Sequence, residues 1–195
     1  FAIYADSATT PLTEAADRSG VRVTIPDGTT TVYIQNTNSA WTPDDHYTFN
    51  GNEYTVDADG CIAIPVSGLG TETRIRAGDF TKLNVLTYNM GGHTSEQAPA
   101  PVYSASSAVT VENGPTTVDA EWQFLGWWDA AASKLYGNGG TVDVSTGDVT
   151  LVAVYGKTSV GATNPSANDI GNAGFGFELS ANITRKTTSV TATST

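Results

Sequence analysis

Residues 147–156 read GDVTLVAVYG, and this stretch decides the fold of the second half of the chain. Leu151, Ala153 and Tyr155 alternate with two valines, so apolar residues occupy both faces of one strand-length run. A strand that is apolar on both faces is typical of the interior of a covered sheet. We therefore expect a central strand here.

Strand-length runs rich in β-branched and aromatic residues extend from this stretch in both directions. Turn residues separate them; Asn50-Gly51, for example, lies between HYTF and EYTV and predicts a two-residue hairpin. The only helix that the sequence suggests covers residues 10–17, with Thr10 as the N-cap and Pro11 as the first helical residue. The chain is therefore expected to be mainly β.

Composition divides the chain into four segments. Residues 1–80 predict an N-terminal β-sandwich or meander of antiparallel strands, of unknown family. Residues 81–157 predict a second small β module. Residues 158–174 are small and polar, which is typical of a linker, and residues 175–195 return to strand-like alternation and predict a C-terminal strand or strands.

Three motifs follow one another in the second module: a Tyr before a Gly-Gly turn, a Phe-x-Gly-Trp run, and a closing Gly-Asp-x-Thr-Leu-x-Ala-x-aromatic strand. Their residues are Tyr88, Gly91, Gly92, Phe124, Gly126, Trp127, Gly147, Asp148, Thr150, Leu151, Ala153 and Tyr155. In this order and spacing they resemble the InlB B-repeat family, also called Listeria–Bacteroides repeats. The resemblance covers roughly residues 82–157. It implies a β-grasp-like fold and a non-catalytic, extracellular spacer or adhesion module on a bacterial surface.

The aromatic run EWQFLGWW contains Gly126, which predicts a β-bulge or a close backbone approach. Strict alternation divides the large side chains between two faces, with Trp122, Phe124 and Trp128 on one and Leu125 and Trp127 on the other. Trp128, or Trp41 in its loop, is a candidate contact for a sugar ring or a protein partner. The alternative for both indoles is packing in a core.

Charge and chemistry argue against several classes of protein. The chain has 9 Lys plus Arg against 20 Asp plus Glu, a net charge of −11, so we expect no nucleic-acid partner. No apolar run is long enough to predict a membrane span. His46 and His93 are the only histidines, and no serine stands in a Gly-x-Ser-x-Gly elbow. We therefore expect that the protein is not an enzyme, and we assign no catalytic residue.

One segment carries the candidate metal ligands and the single cysteine. Asp57-Ala58-Asp59-Gly60 begins like a calcium loop, but the twelfth position is Gly68 rather than Glu, so a plain turn is the alternative. Asp57 and Asp59 therefore remain calcium candidates, and no other cofactor is expected. Alternation places Cys61 with Ala63, which predicts a buried, unreactive thiol.

These features favour a non-catalytic structural or adhesion protein at the surface of a bacterium or on a surface appendage. One alternative is a self-assembling fimbrial or filament subunit that donates a terminal β-strand to the next copy. Its candidate donor residues are Phe175, Phe177 and Leu179, which share one strand face, and Phe1 and Ile3 near the start. Another alternative is a carbohydrate-binding module. The expected partners are proteins, copies of this chain, and host glycans or proteins.

Overall fold

The computed structural model describes residues 1–6, 11–12, 14–17, 20–69, 74–120, 122–157 and 177–179. Their regular structure is strand apart from two short 3-10 turns, Val66–Gly68 and Ala77–Asp79, so the mainly β prediction is confirmed. No helix in this part of the chain has the length and apolar character needed to cross a membrane. The chain divides into two compact units, Phe1–Asn84 and Val85–Thr195.

The first unit contains two three-stranded antiparallel sheets, in the orders β1-β4-β7 and β2-β3-β8, and a β5–β6 hairpin whose β5 also pairs with residues 80–83. Its strands are β1 (Ala2–Ala5), β2 (Glu14–Asp17), β3 (Gly20–Val23), β4 (Thr31–Gln35), β5 (His46–Phe49), β6 (Asn52–Thr55), β7 (Cys61–Pro65) and β8 (Arg74–Ile75).

Apolar residues of both three-stranded sheets meet in one buried cluster, as in a β-sandwich. Ile34 and Ile62 come from one sheet, and Val21 and Ile75 come from the other. The sandwich prediction for this unit therefore describes its core.

Two local predictions for the first unit are corrected. A continuous meander is wrong, because β4 pairs with β1 and β7 rather than with its neighbours in sequence. The helix over residues 10–17 is also wrong, because Glu14–Asp17 is a strand that pairs with β3. Tertiary strand pairing overrides the local helix-capping signal there. The Asn50-Gly51 hairpin is confirmed, with φ of 49° and 76° at its two turn residues.

The second unit is built on a sheet in which β15 is central. The strands of this sheet that belong to the unit are residues 85–89 of β9 (Phe80–Asn89), β10 (Val102–Ser104), β12 (Trp122–Asp129), β13 (Lys134–Tyr136), β15 (Val149–Lys157) and β16 (Phe177–Leu179). β11 (Val109–Thr110) and β14 (Thr141–Val142) pair in a separate two-stranded sheet. β12 lies antiparallel on one side of β15, and β9 lies parallel on the other. Leu151, Ala153 and Tyr155 are fully buried, so the predicted central strand is confirmed.

The aromatic strand β12 contains the predicted bulge, and the bulge changes which residues share a face. Its register with β15 shifts between Phe124 and Gly126, where φ is 150°. Phe124 and Trp127 consequently pack in the same core cluster, with ring centroids 5.2 Å apart. The prediction that they lie on opposite faces is therefore wrong, because one extra residue in a bulge shifts the phase of the alternation.

Candidate functional site

Along one edge of β15, the neighbouring strand changes halfway. β9 pairs with residues 149–152 of β15 through its own residues 86–89, and it ends at Asn89. β12, on the opposite side, follows β15 from Leu151 to Lys157. Among the described strands, the part of β15 that extends past β9 is therefore available for pairing with a different strand.

Motif residues fix the register that creates this edge. The Asp148 carboxylate accepts a hydrogen bond from the backbone N–H of Val85 at 2.9 Å, immediately before the parallel pairing begins. The hydroxyls of Thr87 and Thr150, which are opposite one another, are 2.9 Å apart. These contacts hold β9 at one position along β15.

A turn then ends β9. The side-chain oxygen of Asn89 accepts a hydrogen bond from the N–H of Gly91 at 3.0 Å, and Gly91 has a φ of 67°. The Met90 carbonyl accepts a hydrogen bond from the buried hydroxyl of Tyr155 at 2.6 Å. Burial, followed by the charges of Glu96 and Asp119, raises the pKa of Tyr155, so this hydroxyl stays a donor at neutral pH. The Tyr-Gly-Gly motif thus terminates β9 while β15 continues.

The C-terminal strand β16 pairs with β15 beyond this turn. Leu179 is opposite Val154, Glu178 is opposite Tyr155, and Phe177 is opposite Gly156, in antiparallel register. We call residues 154–156 of β15 the acceptor edge. Two of the predicted strand-donor residues, Phe177 and Leu179, therefore lie on this edge in their own chain, and Phe175 lies outside the described residues.

The outward face of the sheet beside the acceptor edge is apolar. Leu125 and Leu135 are 39% and 47% exposed, and Trp128, which is opposite Leu135, is half-buried. A Cβ atom added to Gly156 would lie 2.9 Å from Cδ1 of Leu125, so the Leu125 side chain lies over this glycine. Sequence reasoning identified Trp128 on this face but missed Leu125, Val154 and Gly156 as parts of a pairing site.

The other predicted strand donor belongs to the sheet of its own unit. β1 pairs with β4, and Ile3 is fully buried in the first core cluster. The Phe1 ring lies 5.9 Å from Trp41 and 5.7 Å from Phe80, measured between centroids. Phe1 and Ile3 therefore contribute to the first core in this structure.

The two candidate ligand-stacking tryptophans have different surroundings. Trp41 is 8% exposed and packs against Phe1, Tyr47 and Phe80 in the first core. It also lines an open depression of about 500 Å³, together with Gln35, Asn36, Thr37, Ala40, Pro43, Ala58, Asp59 and Gly60. Core packing is thus the main role of Trp41 here, whereas Trp128 is partly exposed. Glycan contact at either residue stays a prediction.

The candidate calcium ligands stabilise a turn. Oδ1 of Asp57 accepts hydrogen bonds from the backbone N–H groups of Asp59 and Cys61, at 3.0 and 2.8 Å. In the described part of the chain, no three or more His, Cys, Asp or Glu residues cluster in a way that could hold a metal ion. Calcium binding at Asp57 and Asp59 therefore stays a prediction, and no third ligand of these types joins them among the described residues.

The cysteine in the same segment is buried, as predicted. Cys61 is 1% exposed. Burial, followed by the charges of Asp57 and Asp59, raises the pKa of its thiol. Since the thiolate is the reactive form, both effects protect the group from alkylation.

Each histidine lies beside a carboxylate. Nδ1 of His46 is 2.7 Å from Oε1 of Glu53, on the adjacent strand of the hairpin. Nδ1 of His93 is 3.5 Å from Oδ2 of Asp119, and its ring stacks on Trp122 with centroids 3.7 Å apart. These contacts stabilise the start of β5 and the loop after β9.

No family model, curated protein or solved structure matches the chain. The described residues define the class of the protein as mainly β, with two compact units. The candidate site that they define is the acceptor edge of β15, which β16 covers in this structure, with its apolar border.

Proposed function

We propose that this chain is a non-catalytic structural or adhesion protein that works outside a bacterial cell, on the cell surface or on a surface appendage. The proposal is supported by the position of the motif residues that resemble the InlB B-repeat family, because several of them form the core of the second unit. Tyr88, Trp127 and Tyr155 are buried in one cluster, and the Tyr88 and Trp127 rings lie 4.9 Å apart.

Hydrogen bonds to the backbone give the same residues a scaffolding role. The indole N–H of Trp127 donates to the Glu112 carbonyl at 2.9 Å, and the Tyr88 hydroxyl accepts from the Glu112 N–H at 3.0 Å. Together they tie the segment after β11 to the sheet. A module whose signature residues organise its core is suited to presenting a stable shape, as a spacer or adhesion domain does.

The net charge of −11 also supports a role at a surface exposed to solvent. Excess charge of one sign keeps neighbouring copies soluble and disfavours non-specific association with other acidic polymers. The proposed partners are proteins, further copies of this chain, and host glycans or proteins, and local contacts would have to outweigh the repulsion between like-charged copies.

Immunogold electron microscopy of the source cells tests this proposal. An antibody raised against the purified chain should label intact cells as densely as permeabilised ones, with gold on the envelope exterior or on appendages. A cytoplasmic protein of known location is the control for cell integrity. Label that appears only after permeabilisation would contradict an extracellular role.

A second candidate is a self-assembling filament subunit, and the pairing of β16 with β15 favours it. β16 adds a strand to an edge that β9 leaves uncovered, which is the geometry of strand addition. If copies exchange this strand, the purified chain should form filaments or oligomers at high concentration. Negative-stain images and size-exclusion chromatography that show only monomers at every concentration would exclude this candidate.

A further inference from the structure

We propose that the acceptor edge of β15 in one copy of the chain binds residues 177–179 of a second copy. This inference rests on the filament candidate and specifies its contact: the acceptor is residues 154–156, and the donor is β16. The register is the one that β16 adopts in its own chain, with Leu179 opposite Val154 and Phe177 opposite Gly156.

The connection between β15 and β16 is much longer than a hairpin needs. Nineteen residues, 158–176, separate Lys157 from Phe177. A hairpin that joins adjacent antiparallel strands needs only about two to five residues, and neighbouring strands lie about 4.8 Å apart. A fully extended chain of this length spans at most about 65 Å, many times the spacing of adjacent strands.

The sequence of residues 158–174 predicts a linker, and a long linker weakens the advantage of pairing within one chain. The effective concentration of a tethered segment falls roughly as the −3/2 power of linker length, so a linker of about 19 residues gives a value about 15-fold below that of one of about three. Pairing between copies therefore competes with pairing inside one chain more easily than it would if a tight hairpin joined β15 and β16. A high local protein concentration, as on a crowded surface, favours pairing between copies further.

The pairing positions of the acceptor edge suit this donor. Gly156 has no side chain, and the exposed Leu125 covers it from β12. In the antiparallel register, Leu179 is opposite Val154, which is 5% exposed, and Phe177 is opposite Gly156.

Exchange of this strand makes a heterologous contact, since the donor segment of one copy meets the acceptor edge of another. An open assembly therefore keeps one free acceptor edge at one end and one free donor strand at the other. Such contacts build rings when the rotation closes and open filaments when it does not.

Cysteine cross-linking between full-length chains tests the exchange. Cys61→Ala removes the native thiol; Val154→Cys is then placed in one chain and Leu179→Cys in another. The two chains are unfolded together in urea, refolded over a range of concentrations, and oxidised. We expect a disulfide-linked heterodimer that increases with concentration, with the 154–179 bond located by mass spectrometry. Ala130→Cys, at an exposed turn position of the same unit, replaces Val154→Cys as the matched control and should give no specific heterodimer with Leu179→Cys.

A chain that carries both Val154→Cys and Leu179→Cys separates the remaining outcomes. If this chain forms the 154–179 disulfide internally while the two single-cysteine chains yield only monomers, exchange between copies is overturned. Surface labelling can then still support the structural role. If neither forms a disulfide, the β15–β16 pairing is overturned together with the exchange. The second opposite pair, Gly156→Cys with Phe177→Cys, decides the matter if circular dichroism shows that Val154→Cys does not fold.

Discussion

Substituting Gly126 with alanine should destabilise the second unit far more than the same change at another motif glycine. Gly126 lies at the bulge of β12 with a φ of 150°, and an added Cβ would be 2.7 Å from the Tyr136 carbonyl oxygen. That oxygen belongs to the backbone of β13, so the new methyl group cannot be relieved by a side-chain rotation.

The magnitude follows from two costs. A non-glycine residue in this region of φ costs about 1–3 kcal/mol, and separating β12 from β13 to relieve the contact adds about 1 kcal/mol or more. We therefore expect Gly126→Ala to lower the free energy of unfolding by about 2–4 kcal/mol, which for a unit of this size lowers Tm by about 10 °C or more.

Urea and thermal unfolding followed by tryptophan fluorescence measure this effect, because Trp122, Trp127 and Trp128 all lie in the second unit. Gly147→Ala is the matched control: Gly147 is also a motif glycine, it lacks a positive φ, and nothing lies within 4 Å of its added Cβ. Its effect should stay within about 1 kcal/mol. Equal effects of the two substitutions would refute the assignment of Gly126 to a strained bulge.

Three further results are expected. Trp127→Phe removes the indole donor to the Glu112 carbonyl and should cost about 1–3 kcal/mol in urea unfolding; a cost near zero would contradict the buried hydrogen bond. Hydrogen bonds from Thr117 and Thr116 lower the pKa of Glu96 below its ordinary value of 4.5, so the folded state keeps this carboxylate ionised where the unfolded state protonates it. The stability it contributes should be complete above about pH 5 and decline as pH falls through the folded pKa. Glu96→Gln should flatten that decline, and unchanged pH dependence would argue against it. Cys61 should react with iodoacetamide slowly in the native protein and rapidly in urea; equal rates would contradict its burial.

Local sequence patterns were sufficient to predict several elements. The apolar alternation of residues 151–155 indicates a central strand, because only a covered strand tolerates apolar residues on both faces. Asn50-Gly51 indicates its hairpin, because both residues accept positive φ. Gly126 indicates a bulge, because a glycine inside a strand accepts the unusual φ that a bulge can require.

Non-local pairing accounts for the predictions that were wrong or missing. Capping residues predict a helix over residues 10–17, whereas pairing of residues 14–17 with β3 determines the backbone there. Strict alternation predicts opposite faces of β12 for Phe124 and Trp127, and the bulge reverses this relation. The acceptor edge depends on where β9 stops relative to β15, which is a property of the parallel register and of the turn at Gly91. No pattern within β15 alone carries that information.

The acceptor edge of the central strand β15 is covered by the C-terminal strand β16. Hydrogen–deuterium exchange tests this pairing directly, by comparing the full chain with its Phe177→Asp, Leu179→Asp double variant. We predict faster exchange in the variant at the amides of residues 153–157 that point away from β12, with residues 149–152 unchanged beside β9. Identical exchange in both proteins across residues 153–157 would contradict the claim.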